Sequence, residues 1–266
     1  MLRQAALAAI CAASFEAKLA ATEALDASSL LDVDAVLTPD APIPGREPRP
    51  ELVPPASVPR RGVRSVAGRA SLMHALAHIE LNAVDLALDI VWRFPGMPEA
   101  FYREWVGVAR EEAYHHRLLC AHLATLGYVY GDFPAHNGLW EMAEKTRDDL
   151  LARLALVPRT LEARGLDASP PIRHKLAQAG DHAAAAILDI ILRDEIGHVA
   201  VGNRWYKFLC ARLGLDPLST YADLALRHAA PRLRGPFNLE ARRAAGFDED
   251  ELAALLNDPV RPSPSP

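Results

Sequence analysis

Two copies of one short pattern, Glu112-Ala-Tyr-His115 and Glu195-Ile-Gly-His198, constrain this chain more than any other feature. Each sits in a stretch of helical character. Residues three apart share a helix face, so each copy aims one carboxylate and one imidazole at a common interior point. A lone glutamate precedes each copy by about one helix: Glu80 lies 32 residues before Glu112, and Glu162 lies 33 before Glu195. The matched intervals predict two helical hairpins related by approximate pseudo-symmetry. Four such helices enclose a volume lined by four carboxylates and two imidazoles, the donor set of a carboxylate-bridged metal pair. Two Glu-x-x-His strings also arise by coincidence in a charged helical chain, and the matching upstream glutamates weigh against that.

The 266 residues suffice for one principal domain with appendages. Alanine, leucine, glutamate and arginine dominate the middle of the chain and glycine is sparse, which favours helices over sheets. A formal charge of −5 gives no global positive field of the kind that advertises nucleic-acid binding. Cys11, Cys120 and Cys210 are odd in number and widely separated, which argues against a disulfide framework or a thiolate zinc site and for thiols in a reducing, cytoplasmic setting. The opening run resembles a short secretory leader, because Arg3 precedes an alanine-rich segment, but Glu16 and Lys18 continue it as an amphipathic helix. No uninterrupted apolar segment is long enough to span a bilayer.

Residues 3–27 read as one helix, followed by a second short segment around 30–37. Prolines between Pro39 and Pro59 preclude a long regular helix; that stretch is either a linker or an ordered strap anchored by Ile43, Leu52 and Val53. The arginines Arg46, Arg49, Arg60, Arg61, Arg64 and Arg69 make it basic, as a solvated surface or as a means of steering an anion. The main pattern predicts helices over 65–94, with Leu72, Leu76, Ile79, Ala83 and Leu86 as its apolar stripe and Glu80 beside it, and over 98–126. A crossover follows at 128–138. A third helix is expected over 139–164, bent at Pro158 and ended by Gly165 and Pro170-Pro171. A fourth is expected over 179–213, with 172–177 as its approach. Helical pieces at 221–228 and 248–256 flank an irregular stretch at 231–237. The partition is thus an N-terminal helical segment with strap or linker (1–62), an all-α four-helix bundle (63–214), a C-terminal helical cap (215–258) and a disordered tail (259–266).

Carboxylate and imidazole donors suit iron or manganese. The expected arrangement has Glu112 and Glu195 bridging two ions, Glu80 and Glu162 terminal, and His115 and His198 completing the shell. The alternatives stay open at several positions. Glu111 and His116 allow a shift of register, Pro158 allows Glu162 to turn outward, and Glu141 or Glu144 occupy the same helical region.

The layout resembles the ferritin-like di-metal superfamily, an antiparallel four-helix bundle. The segments HALAHIELNAVDLALD, REEAYHHRLL, VPRTLEARGLD and LRDEIGHVAVGNRW resemble the DUF455 family within it, over about residues 3 to 256. The organisation is more remotely similar to di-iron tRNA hydroxylases. The resemblance maps Glu80, Glu112, His115, Glu162, Glu195 and His198 onto the usual six ligands. It implies two iron ions, with manganese or a mixed pair as alternatives, and an oxidoreductase or hydroxylase that takes dioxygen, an electron donor and an organic substrate. A non-catalytic metal-binding protein and an RNA-binding or RNA-modifying protein are the other readings; the latter requires the arginines and cap residues to form one basic surface.

Around this set, Asp85 and Asp189 are candidates to orient the histidines, while Asp194 reads as solvated. His74, His78 and His182 are candidate entrance residues, although structural histidines account for them as well. Tyr114, between two ligands in sequence, is the one aromatic residue placed for a radical or gating role. Asn203, Arg204, Asn238, Arg242 and Arg243 serve either a polar substrate or a structural connection.

Overall fold

A computed structural model describes residues 1–59 and 61–257, and within them all regular structure is helical apart from an isolated bridge between Leu52 and Ala135. Arg60 and residues 258–266, which include the tail expected to be disordered, lie outside the described residues. Two short helices, α1 (Leu2–Cys11) and α2 (Phe15–Glu23), precede the long hairpin of α3 (Val66–Arg93) and α4 (Glu99–Thr125). The second half opens with α5 (Gly138–Lys145). It continues as α6 (Leu150–Leu156), a π-helical turn (Val157–Glu162) and α7 (Ala163–Gln178) in one broken rod, and returns as α8 (His182–Leu213). The cap is α9 (Pro217–Arg227), α10 (Leu239–Ala244) and α11 (Glu249–Asn257). Helix α3 packs along α4 and α7 along α8, and the two pairs meet where α4 and α6 lie against α8.

Local chemistry fixes the ends of these rods. Ser65, Asp149 and Asp181 each accept a hydrogen bond from the backbone N–H three residues on, capping α3, α6 and α8. Gly180 and Gly214, with φ of +82° and +67°, supply the left-handed residue after α7 and α8. The C-terminal end of α3 is buried and capped from a distance. Arg3 donates to Val91 O at 3.1 Å and Trp92 O at 2.7 Å, placing a cation on carbonyls that the helix itself leaves unbonded.

Four expectations change. The single N-terminal helix is two, because residues 12–14 break it and Ser14 caps a fresh start, and no helix forms over 30–37. The stop foreseen at Gly165 and Pro170-Pro171 does not occur, and residues 172–177 belong to α7. Pro170 lacks the N–H that would bond Leu166 O, and Asn238 Nδ2 donates to that oxygen instead at 3.2 Å, so tertiary structure offsets part of the proline's cost. Ile79, foreseen in the apolar stripe, is 42% exposed, while the buried face of α3 runs through Met73, Ala77, Glu80, Val84 and Ala87. Helix α10 has no counterpart among the expected elements. Within 39–59, Gly45 N donates to Ile10 O, and Val53 N and Ala135 N make backbone bonds that hold 51–53 to the crossover.

The apolar interior is not continuous. One cluster contains Leu81, Val84, Ala113, Leu156 and Trp205; another contains Met73, Ala77, Leu119, Leu188 and Ile191. On α3, α4 and α8 the two clusters lie on either side of a polar layer, where Glu80, Glu112, His115, Glu195 and His198 are all buried.

Candidate metal centre

Helix α3 brings Glu80 to this layer, α4 brings Glu112 and His115, and α8 brings Glu195 and His198. Donor atoms of Glu80, Glu112 and His115 all lie within 4.8 Å of one another, and so do those of Glu112, Glu195 and His198. Glu112 belongs to both groups. Glu162 stands outside both, yet it faces the same volume: its Oε2 is buried without a hydrogen-bond partner, and its charge is felt at Glu195.

The broken rod decides where Glu162 points. Pro158 cannot donate a backbone hydrogen bond, and the chain answers with a wide turn in which Ala163 N bonds Pro158 O. A π turn holds about one residue more than an α turn, which rotates the succeeding residues by roughly 100°. Far from turning Glu162 outward, the disturbance leaves it facing the layer. Glu141 and Glu144 are exposed on α5, where Glu144 accepts from Trp140 Nε1 at 3.0 Å. Two contacts hold the turn. Gly202 of α8 receives the Pro158 ring so closely that a Cβ there would lie 2.5 Å from Pro158 Cβ. Arg159, buried, bonds Asn203 and Glu251 and stacks 4.2 Å from the Tyr206 ring, with Tyr221 and Phe247 around it. The cap therefore grips the segment that carries Glu162.

Both histidines present Nδ1 to the layer and Nε2 to a carboxylate outside it. His115 Nε2 donates to Asp194 Oδ2 at 3.1 Å, and His198 Nε2 donates to Glu111 Oε2 at 2.7 Å. Each orienting acid immediately precedes the glutamate of the other motif, so the two hairpins orient one another's histidines. Such a bond fixes the tautomer and leaves the inner nitrogen free to coordinate. The expectation from helical spacing, that Asp85 and Asp189 fill this role, is corrected. Asp85 instead forms a buried pair with Lys18 at 2.5 Å, and Asp189 pairs with Arg173 at the surface. Asp194 is not merely solvated. The signal for both orienting acids is present in the sequence as an acidic residue directly before each Glu-x-x-His, but their reach across α4 and α8 is a property of helix packing.

Several other candidates are structural. His74 accepts from Gly131 N at 2.9 Å and stacks on Tyr130, His78 bonds Tyr130 and His136, and His182 is exposed at the far end of α8. Tyr114 is 48% exposed. Asn203 joins Arg159 to Ala245 O, Arg204 pairs with Glu104, Asn238 caps α10, Arg242 pairs with Asp167 and Arg243 with Glu249. Arg46 is spent in part on Asn82, Arg61 stacks over Phe133 and Arg69 pairs with Asp181.

The electrostatics of the layer call for cations. Burial first, and then the charge of Glu112, push Glu80 and Glu162 each up to about 8 and hold Glu195 well above the usual carboxylate range. Burial also acts to raise Glu112, but His198 and His115 outweigh it and hold it well below that range. On His115, burial opposes the charged ring, yet the Glu112 and Glu80 carboxylates, each 3.4 Å from its Nδ1, raise it to about 11. Glu80 Oε2, Glu112 Oε1, Glu162 Oε2, Glu195 Oε2 and His198 Nδ1 are all buried without hydrogen-bond partners. His198 Nδ1 approaches Glu112 Oε1 to 2.9 Å, but without hydrogen-bond geometry. A folded protein seldom leaves so many buried polar atoms unpaired in one place. Two divalent ions would neutralise four carboxylates and use these orphaned atoms as ligands, so the residues present fit a di-metal site of ferritin-like type and an oxidoreductase-type active site.

Residues 11–253 match the family described as "Protein of unknown function (DUF455)". The chain is 50% identical over 211 residues to an "Uncharacterized protein" of Haemophilus influenzae, covering 77% of this chain and 73% of that one. No solved structure matches it. With nearly the whole chain matched, the protein belongs to the DUF455 family.

Proposed function

We propose that the protein is a non-haem di-iron oxidoreductase acting with dioxygen on an organic substrate, with Glu80, Glu112, His115, Glu162, Glu195 and His198 as the metal ligands. The observation that carries this reading is the set of unpartnered donor atoms buried in one polar layer between two apolar clusters. Two irons in such a donor set supply the electrons that activate dioxygen toward a C–H bond. Glu112, shared by the two donor groups, would serve both ions, and Glu195, which senses Glu80, Glu112 and Glu162, would help to hold them. Asp194 and Glu111 hold the Nε2 protons of the histidines, and the apolar clusters above and below keep bulk water from the layer. Manganese satisfies the same donors, so metal identity is read out rather than assumed. Among the described residues no helix is long and apolar enough to cross a membrane, and three free thiols support a reducing compartment such as the cytoplasm.

The test is anaerobic loading with ferrous iron, followed by metal quantification, iron spectroscopy and oxygen uptake with a chemical reductant. Two irons per chain with a spin-coupled signature and oxygen consumption is the expected result. Fewer than two equivalents under every loading condition overturns the site, and two equivalents without oxygen consumption supports a metal-handling protein instead.

A further inference from the structure

On the face of α3 turned away from Glu80 lies a half-open cavity of about 170 Å3. His78, Asn82 and Asp85 form a stripe at helical spacing that floors it, and Glu80 projects from the opposite side of the same turns. Phe15 of α2, Tyr130 of the crossover and Pro48, Pro50 and Leu52 of the strap make apolar walls. The volume is close to the roughly 150 Å3 of an apolar cavity that admits benzene.

The formal charges in and beneath this cavity balance, Lys18 and Arg46 against Asp85 and Glu47, but they are not paired evenly. Asp85 is engaged by Lys18 at 2.5 Å, and Lys18 also donates to Gly45 O at 2.7 Å. Glu47 turns to the start of α2, where it accepts from Phe15 N at 2.9 Å. His78 is neutral by its bonding: its Nε2 faces the carbonyl of His136 and so carries the proton, while Nδ1 accepts from the Tyr130 hydroxyl at 2.7 Å. Asn82 Nδ2 donates to His78 O, and its Oδ1 accepts from the Arg46 guanidinium at 3.1 Å. Among the described residues no carboxylate lies within ion-pair distance of Arg46. A guanidinium has five N–H donors in a planar fork, and this one spends a single bond on an amide. The cavity thus joins apolar walls to one guanidinium that makes no close ion pair and is held in place by a buried asparagine.

We infer that this cavity is a binding site for a small planar carboxylate, its anion paired with Arg46 and its ring held between Phe15, Tyr130 and the prolines of the strap. The fork of an arginine matches a carboxylate in two parallel hydrogen bonds, which a neutral amide cannot reproduce. The site stands apart from the metal centre and does not depend on what that centre does.

Benzoate is the probe, titrated by two-dimensional amide NMR and calorimetry against the full chain, with benzamide as the neutral comparator. Saturable binding in the millimolar range or tighter, with shifts centred on Asn82, Phe15 and Tyr130, is expected. Benzamide binds about tenfold or more weakly, as does benzoate to R46Q, which loses the charge-assisted bonds but can still donate to Asn82. R46K, which keeps the charge but not the fork, binds benzoate with an affinity between those of wild type and R46Q, and this separates loss of the cation from a disturbed strap. Absence of saturable benzoate binding, equal affinity for benzamide, shifts centred elsewhere, or an unaltered R46Q each overturns the assignment.

Discussion

The two hairpins supply the same kinds of side chain by different means. In the first, α3 and α4 are unbroken, and Glu80 and the Glu112/His115 pair reach the polar layer by helical spacing alone. In the second, the partner of α8 is interrupted at Pro158, and Glu162 is aimed by a π turn that Gly202 admits and that Arg159 ties to the cap. The difference teaches that one half of the site is written into local periodicity and the other is held by contacts between distant parts of the chain. It also explains why Glu80 joins a tight donor group while Glu162 stands just outside both.

The sharpest way to break this comparison is to remove the residue that the hairpins share. Glu112→Ala is expected to abolish binding of both metal ions, whereas Glu80→Ala and Glu162→Ala each leave about one equivalent, as counted by anaerobic metal titration. Equal losses in all three variants would deny Glu112 its bridging place. Next in size is Arg159→Met. It removes one of two cations from the buried Glu251, leaving Lys207 at 2.9 Å and the Asp248 N–H as its partners, and is expected to cost about 1.5–3 kcal/mol in urea unfolding of metal-free protein. In the loaded protein it disturbs the Glu162 side of the centre while the Glu80 side persists. A uniform loss at both ions would mean that the cap serves the whole bundle.

The orienting acids test whether the hairpins depend on each other. Asp194→Asn weakens the ion held by His115, and Glu111→Gln the ion held by His198, by about 10–100-fold in affinity. Asp194 has the larger effect, because Glu111 is 57% exposed and water replaces it more readily. Finally, Gly202→Ala drives a methyl group into the Pro158 ring and is expected to cost about 1–3 kcal/mol by thermal or urea unfolding. Adding Pro158→Ala recovers most of that loss. Failure of the second change to compensate would show that the close approach does not govern the turn.

Much of the first hairpin is legible in the amino-acid sequence. Ser65 as a cap, the breakers after Arg93, and the spacing of Glu80, Glu112 and His115 all express preferences within a few residues, which is why α3 and α4 fall within one residue of their expected limits. The second hairpin is harder to read. Gly165 and Pro170-Pro171 carry strong local signals for a stop, yet α7 runs through them because Asn238, some 70 residues away, supplies a missing hydrogen-bond donor. Asp85 and Asp189 resemble orienting acids because periodicity gives a residue's face but not its partner. Lys18 and Arg173 engage them instead.

The sequence by itself determined that the chain is helical and that four glutamates and two histidines recur at spacings able to meet, since both follow from the 3.6-residue period and local capping. Only the tertiary structure decided which acids hold which histidine, that a π turn aims Glu162, and that Arg46 lines a cavity without making a close ion pair. Each of these depends on how helices far apart in the chain pack, and burial then forces every polar group either to find a partner or to await a ligand.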